Sequence, residues 1–334
     1  MKSYSVRASH LSFFCVVLCN LAGVTTAAAH QYSGMIDERR YVEVERHARA
    51  KLVQEPRNAD ALLGLVDVIL AQGQDERIEQ AAKMAELCVL AHPDNAECFD
   101  ARGNVLANQF RRAGLVDAIV MAGKIREAYL RALAIDPRNY RARLALMRYY
   151  LSASMMLGGG SGKARALAAE TGQLNPDVSN LMQAICDFDD GKSDQAEELA
   201  LSLNLAGAES VRLQQGELLW NIGQKYLAER RFSDSMRVFA ELRMLFPSGT
   251  RADAGFGMIA QEQGHHQDAL AFFSSALANG QYAYLYYQIA TSALALKDSH
   301  KAMAALESAL RAKPPLSEQQ RVDAEAKLAA LRRR

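Results

Sequence analysis

The chain has 334 residues, 50% of them hydrophobic and only 7 of them proline, which is enough apolar material for a large core and excludes a disordered chain. Ala and Leu abound while runs of Val, Ile and Thr are scarce, so the composition predicts an all-α protein. With 39 basic against 38 acidic residues and no sustained basic stripe beyond Arg332, Arg333 and Arg334, the charge pattern excludes a nucleic-acid binder.

Residues 1–29 read as a signal peptide: Lys2 and Arg7, an apolar stretch from Leu11 to Ala22, then Ala27, Ala28 and Ala29. Asn20, Gly23, Thr25 and Thr26 interrupt the segment; a retained membrane anchor is the alternative reading. Val16, Val17 and Leu18 put no small residue before Cys19, which argues against a lipoprotein site. No later apolar run reaches about 18 residues, so the mature chain is expected to be exported, periplasmic or secreted, without an integral membrane segment. Cleavage takes 39 basic residues to 37 against 38 acidic ones. It leaves Cys88, Cys98 and Cys186, without the paired spacing of a zinc site. Cys88 and Cys98 stand symmetrically about Pro93 at a turn and form a candidate disulfide. Packed helix axes lie about 8–10 Å apart, whereas a disulfide needs Cα atoms within about 7 Å.

In residues 30–58, Tyr41, Ala48 and Pro56 outline the second helix of a partial repeat. Residues 59–178 carry units with longer inter-helix turns; in one of them the segment Asp94 to Asn104 is completed by Tyr129, Ala132 and Pro137. Residues 179–316 are more regular. Between 216 and 249, Leu219, Ile222, Gly223 and Tyr226 stand at i, i+3, i+4 and i+7 of one helix; Phe232, Ser235, Phe239 and Leu242 stripe a second before Pro247. The next unit repeats the pattern with Phe256, Gly257, Ala260, Ala269, Phe273 and Ala276, ending at Gln281 without a proline. The last has Tyr286, Ile289, Ala290, Ala293, Ala302, Leu306, Ala309 and Pro314. Units starting at Ala59, Ala96, Tyr140, Ser179, Gly216, Thr250 and Ala283 are spaced by 37, 44, 39, 37, 34 and 33 residues. The Ser179 unit fits two registers two residues apart, so a shortened turn is expected there. In residues 317–334, Ser317 and Gln320 open a polar capping helix.

A period near about 34 residues with these apolar and glycine positions resembles the tetratricopeptide repeat, W-x2-L-G-x2-Y followed by A-x3-F-x2-A and P. Leu219 replaces the Trp and Ser235 the first Ala of that pattern. The resemblance covers nearly all of the mature chain and extends to exported proteobacterial proteins of this family. It implies a right-handed superhelical solenoid of antiparallel helix pairs, whose concave groove, lined by the first helices, receives a protein or peptide.

Other chemistries find little support. Gly158-Gly159-Gly160-Ser161-Gly162-Lys163 resembles a phosphate loop, but Leu157 and Ala164 stand where Gly and Ser or Thr are required, and a helix precedes it; an inter-helix turn is expected. His30 would be the mature N-terminus without a second His as metal partner, and His265-His266 read as turn residues. Asp187, Asp189 and Asp190 lack the alternation of a calcium loop and read as a solvated turn. No nucleophile-and-base motif stands out, so no catalytic residue, metal or cofactor is assigned.

The family's carboxylate clamp uses Lys, Asn and Arg on neighbouring groove helices. Asn104, Arg141 and Arg148 match part of it, without a groove Lys. Farther along, Leu219, Ile222, Gly223 and Tyr226 face the core, which turns Trp220, Gln224 and Leu227 towards the groove. Met258 and Gln261, then Tyr284, Tyr287 and Thr291, continue that face, with Trp220 and Tyr287 as aromatic anchors. The expected function is a non-catalytic scaffold binding an envelope protein. A self-associating envelope subunit is the alternative, and an enzyme with a site assembled from distant residues the third. N-terminal sequencing of the exported protein is expected to begin at His30; recovery of an intact Met1 terminus from the envelope would instead establish the anchor.

Overall fold

The computed structural model describes residues 30–110, 115–205, 209–247, 250–280, 282–312 and 315–333. The expected signal segment 1–29, Gln281, Pro314 and Arg334 lie outside the described residues. Seventeen α-helices and two short 3-10 turns account for the regular structure, with no strand among the described residues. In chain order they are α1 (Ser33–Asp37), α2 (Tyr41–Gln54), α3 (Ala59–Ala71), α4 (Ile78–Ala91), α5 (Ala96–Phe110), α6 (Leu115–Ile135), α7 (Tyr140–Ser152) and α8 (Ser161–Thr171). They continue with α9 (Pro176–Asp189), α10 (Ser193–Leu201), α11 (Glu209–Ala228), α12 (Phe232–Leu245), α13 (Thr250–Glu262), α14 (His266–Ala278), α15 (Ala283–Ala295), α16 (Ser299–Arg311) and α17 (Glu318–Arg332). From α3 to α16 the helices pack as consecutive antiparallel pairs, α2 packs on α3, and α17 on α16. The chain is an all-α, right-handed superhelical solenoid.

Local sequence explains where the helices start and stop. The side chains of Asn58, Asn139, Asn175 and Asp298 each accept the backbone N–H three residues on, satisfying a donor that the first turn leaves free. Pro176 occupies the first turn of α9, where its missing N–H costs nothing. Ser317 and Gln320 form the reciprocal capping box of α17. The pairs α9–α10, α11–α12, α13–α14 and α15–α16 are joined by three-residue turns, so the turn expected to be shortened in the Ser179 unit has the common length. Its central residue is left-handed each time: Gly191, Arg230, Gly264 and Lys297, at φ 80°, 61°, 80° and 63°. Arg39, at φ 60°, repeats this geometry between α1 and α2.

Helices open at Ala59, Ala96, Tyr140, Thr250 and Ala283, whereas Ser179 and Gly216 fall inside α9 and α11. The widest unit places its additional residues in α6, 21 residues long. The glycine-rich stretch joins α7 to α8, with Gly158 and Gly160 at φ 84° and 130°. Cys88 at the end of α4 and Cys98 at the start of α5 are bonded, their Cα atoms 5.4 Å apart. Both flank the connection, where the helices have not yet diverged to full packing distance.

Units stack through aromatic rings set into glycine notches. Phe239 of α12, fully buried, lies so close to Gly223 of α11 and Gly255 of α13 that a Cβ on either would stand 2.4 or 2.5 Å from its ring. Ser235 donates from Oγ to the Gly223 carbonyl at 2.8 Å, satisfying its hydroxyl where the repeat pattern has Ala. Phe273 meets Gly257, and Tyr129 meets Gly103, in the same manner. Gly223→Ala is expected to destabilise the protein by about 1–3 kcal/mol, because a buried ring held between two backbones cannot yield. Gly162→Ala, which meets no atom within 4 Å, should be neutral or stabilising by up to about 1 kcal/mol. Urea unfolding of the two variants, with opposite signs expected, checks this.

Candidate functional site

The first helices α3, α5, α7, α9, α11, α13 and α15 touch one another in succession and form the inner face. Winding is tight enough for α7 and α11, with the α9–α10 unit between them, to meet. Arg148 of α7 pairs there with Glu217 of α11 at 3.2 Å. Arg141, also on α7, reaches Asp67 on α3 at 3.3 Å and Asp100 on α5 at 3.6 Å.

In the N-terminal half the inner face carries this charged group. The Tyr32 N–H donates to His30 Nδ1 at 3.3 Å, and the other ring nitrogen, Nε2, lies 3.1 Å from Asp67 Oδ2. Burial works against the Asp67 carboxylate, but Arg141 and His30 outweigh it and hold its pKa at about 2. Asp100 is 3% exposed; burial raises its pKa to about 6, opposed by Arg141 and reinforced by Asp67. Asn104 accepts the Tyr129 hydroxyl at 2.9 Å. Asn104, Arg141 and Arg148 therefore each have an intramolecular partner and do not converge as a clamp.

The C-terminal three units enclose a cavity of about 510 Å³ on the same inner face. Trp220 and Gln224 from α11, Met258 from α13 and Tyr284 from α15 all line it, four of the residues expected there. Trp220 is half-buried, its ring centroid 5.5 Å from that of Phe239. Leu227 is buried, 7% exposed, because the tight winding carries the end of that stripe into the core. The second expected anchor lies elsewhere: Tyr287 donates to Asp323 at 2.6 Å and has Lys327 over its ring at 5.0 Å, both from α17. Thr291 donates back to the Tyr287 carbonyl at 3.0 Å, and Gln261 donates to the Gln288 carbonyl and Ser292.

Residues outside the expected set complete the lining: Glu217, Asn221, Thr250, Arg251, Tyr282, Gln288, Gln320 and Arg39. Arg39 comes from the α1–α2 turn at the opposite end of the chain, its guanidinium 4.8 Å from the Tyr282 ring centroid. Its left-handed backbone repeats the turn geometry of the later units, a signal that the arginine hides in the sequence. The glycine-rich stretch and the acidic turn singled out above are internally satisfied. Lys163 donates to the Gly158 carbonyl at 2.8 Å, and Arg165 bridges Asp187 at 2.9 Å and Asp190 at 2.5 Å. Among the described residues no three His, Cys, Asp or Glu side chains converge on a metal position, and no helix is long and apolar enough to cross a membrane.

No protein-family model matches the chain, and no curated protein does. Solved structures do. Yeast Tom70 superposes with a TM-score of 0.55 at 15% identity, covering 82% of this chain and 56% of Tom70. The Cut9 and Hcn1 assembly of the APC/C gives 0.44 at 14% identity, covering 83% and 50%. A tetratricopeptide repeat protein from Parabacteroides merdae gives 0.40 at 14%, covering 90% and 95%. The chain spans about half the length of the first two. At such identities the likeness concerns the fold, and the chain has the tetratricopeptide-repeat fold.

The buried carboxyls give opposite pH signatures. Asp100 binds its proton more tightly folded than unfolded, so its contribution is full below the ordinary 3.8 and is lost as pH rises through about 6. Asp67 contributes fully above 3.8 and loses that contribution as pH falls towards about 2. The stability of Asp100→Asn relative to the unmodified protein should therefore increase from about pH 4 to about pH 6. Urea titrations across that range measure it, and parallel curves would exclude the assignment.

Proposed function

We propose that the chain is an exported, non-catalytic scaffold that binds an envelope protein through the inner face of its C-terminal three units. The observation that carries this reading is the cavity on which three successive first helices place Trp220, Gln224, Met258 and Tyr284. A half-buried aromatic beside amides and a flexible Met is the composition of a binding hot spot: apolar area gained at contact, with polar groups to orient it. Export rests on the charged start, apolar run and Ala triplet of residues 1–29. It restricts the partner to proteins of the envelope.

Trp220 is the single tryptophan of the chain and reports on its own environment. An affinity pull-down from envelope extract with the mature chain as bait should recover a partner whose binding shifts Trp220 emission. Trp220→Ala should weaken that partner roughly 30-fold, the effect of losing about 2 kcal/mol at a hot spot, with the helical circular dichroism unchanged. A partner held equally well by the variant would place binding on another surface.

A further inference from the structure

The polar lining of the cavity has a sign. Arg39 and Arg251 both line it, and among the described residues neither pairs with a carboxylate. The single acidic residue of the lining, Glu217, is held by Arg148 at 3.2 Å. Thr250, 2% exposed, belongs to the same wall, and its hydroxyl has no hydrogen-bond partner among the described residues, a state that buried polar atoms rarely keep. Thr250 and Arg251 open α13, so the partial positive charge of a helix N-terminus adds to the two guanidinium groups. Both arginines are close enough to act electrostatically on the Tyr284 hydroxyl.

We propose that this cavity takes the acidic side chain, Asp or Glu, of an extended partner segment, its carboxylate received by Arg39 and Arg251 beside the Thr250 hydroxyl. The assignment rests on the groove reading above and adds its chemistry. An incoming carboxylate meets two guanidinium groups that are unpaired among the described residues, with the buried Thr250 hydroxyl behind them, whereas an incoming Lys or Arg meets no free carboxylate of the lining. Trp220 and Met258 offer an apolar surface to the neighbouring residue. Amides on two sides of the cavity, Asn221 and Gln224 of α11 and Gln288 of α15, can pair with the segment's backbone before and after the acidic residue. This commits the site to an internal side chain rather than a chain end. Because Arg39 belongs to the α1–α2 turn, the site is complete only while the two ends of the array face each other, with Arg39 over Tyr282.

The test uses the mature chain and an array of random decapeptides, acetylated at one end and tethered through the other so that no terminal carboxylate is free. Bound peptides should be enriched in Asp or Glu at one position. In solution, Glu→Gln in the best of them should weaken the Trp220 emission titration by about 10-fold or more, the effect of losing a charge-assisted hydrogen bond, with the preference shrinking as salt rises. Arg39→Gln and Arg251→Gln, both at exposed positions, should bind the Gln peptide as the unmodified chain does and lose the preference for Glu. Peptides that shift Trp220 without acidic enrichment, or a preference that survives both substitutions, would overturn the carboxylate assignment and leave the groove reading standing. If no arrayed peptide binds while peptides with a free C-terminus do, the internal side chain is the wrong source. If neither set moves Trp220, both readings fall.

Discussion

The stacking of this solenoid depends on a ring placed where two backbones can reach it. Phe239 leaves α12 and enters the gap between α11 and α13, which closes because Gly223 and Gly255 present no side chain. Trp220 and Phe256 then stand against the same ring, at centroid distances of 5.5 and 6.3 Å. One buried aromatic thus sets the distance between helices of a pair, the distance to the next pair and the position of the cavity's half-buried Trp. A solenoid is stabilised by contacts between neighbours, so the geometry of a notch propagates: a change of helix separation at one unit displaces every unit beyond it. The first and last units need a substitute for the missing neighbour. Tyr32 supplies it at one end by packing on Gly64 of α3, and Ala324 and Leu328 of α17 supply it at the other by joining the core of α15 and α16.

Much of this was legible in the sequence because the signal is periodic. A first-helix glycine faced by an inward aromatic of the next helix, as in Gly103 with Tyr129, Gly223 with Phe239 and Gly257 with Phe273, recurs from unit to unit, and each recurrence supports the others. The inner-face residues Trp220, Gln224, Met258 and Tyr284 followed from the angle between core and groove on a single helix. What stayed hidden is whatever depends on the sum of small rotations over several units. No single unit says that α7 and α11 touch, that Arg141 finds Asp67 across 74 residues, or that Arg39 faces Tyr282. Tyr287 shows the same limit from the other side. Its helical angle was read from the same periodicity, yet α17 returns over it with Asp323 and Lys327, so its ring contributes to the cap instead of the cavity.

The two halves of the inner face solve the problem of tight winding differently. In the N-terminal half the first helices bring carboxylates from α3 and α5 to one guanidinium on α7, and the cluster is satisfied largely by its own members. Such a network fixes relative orientation more than it adds stability, because desolvation offsets much of the Coulomb attraction. In the C-terminal half the inner side chains are aromatic and amide. Apart from Glu217, whose partner is Arg148, the charges on that wall are arginines that find no carboxylate of their own among the described residues.

That asymmetry follows from where the ends of the chain lie. A superhelix that winds tightly brings its beginning near its end, and here the meeting point is a turn whose central residue is left-handed. Gly serves that position in two of the later turns, because it adopts positive φ without strain, while Arg39, Arg230 and Lys297 adopt it with a Cβ. At Arg231, the neighbour of Arg230, the guanidinium stacks on Tyr226 and pairs with Asp194 and Asp234, so that turn keeps its charges to itself. At Arg39 the contact is instead with Tyr282, on the far unit, through a ring face that leaves the guanidinium edge free of any carboxylate among the described residues. A cation placed by a left-handed turn and held by an aromatic face joins the two ends of the array without being neutralised. It therefore acts on the cavity as well as on the fold.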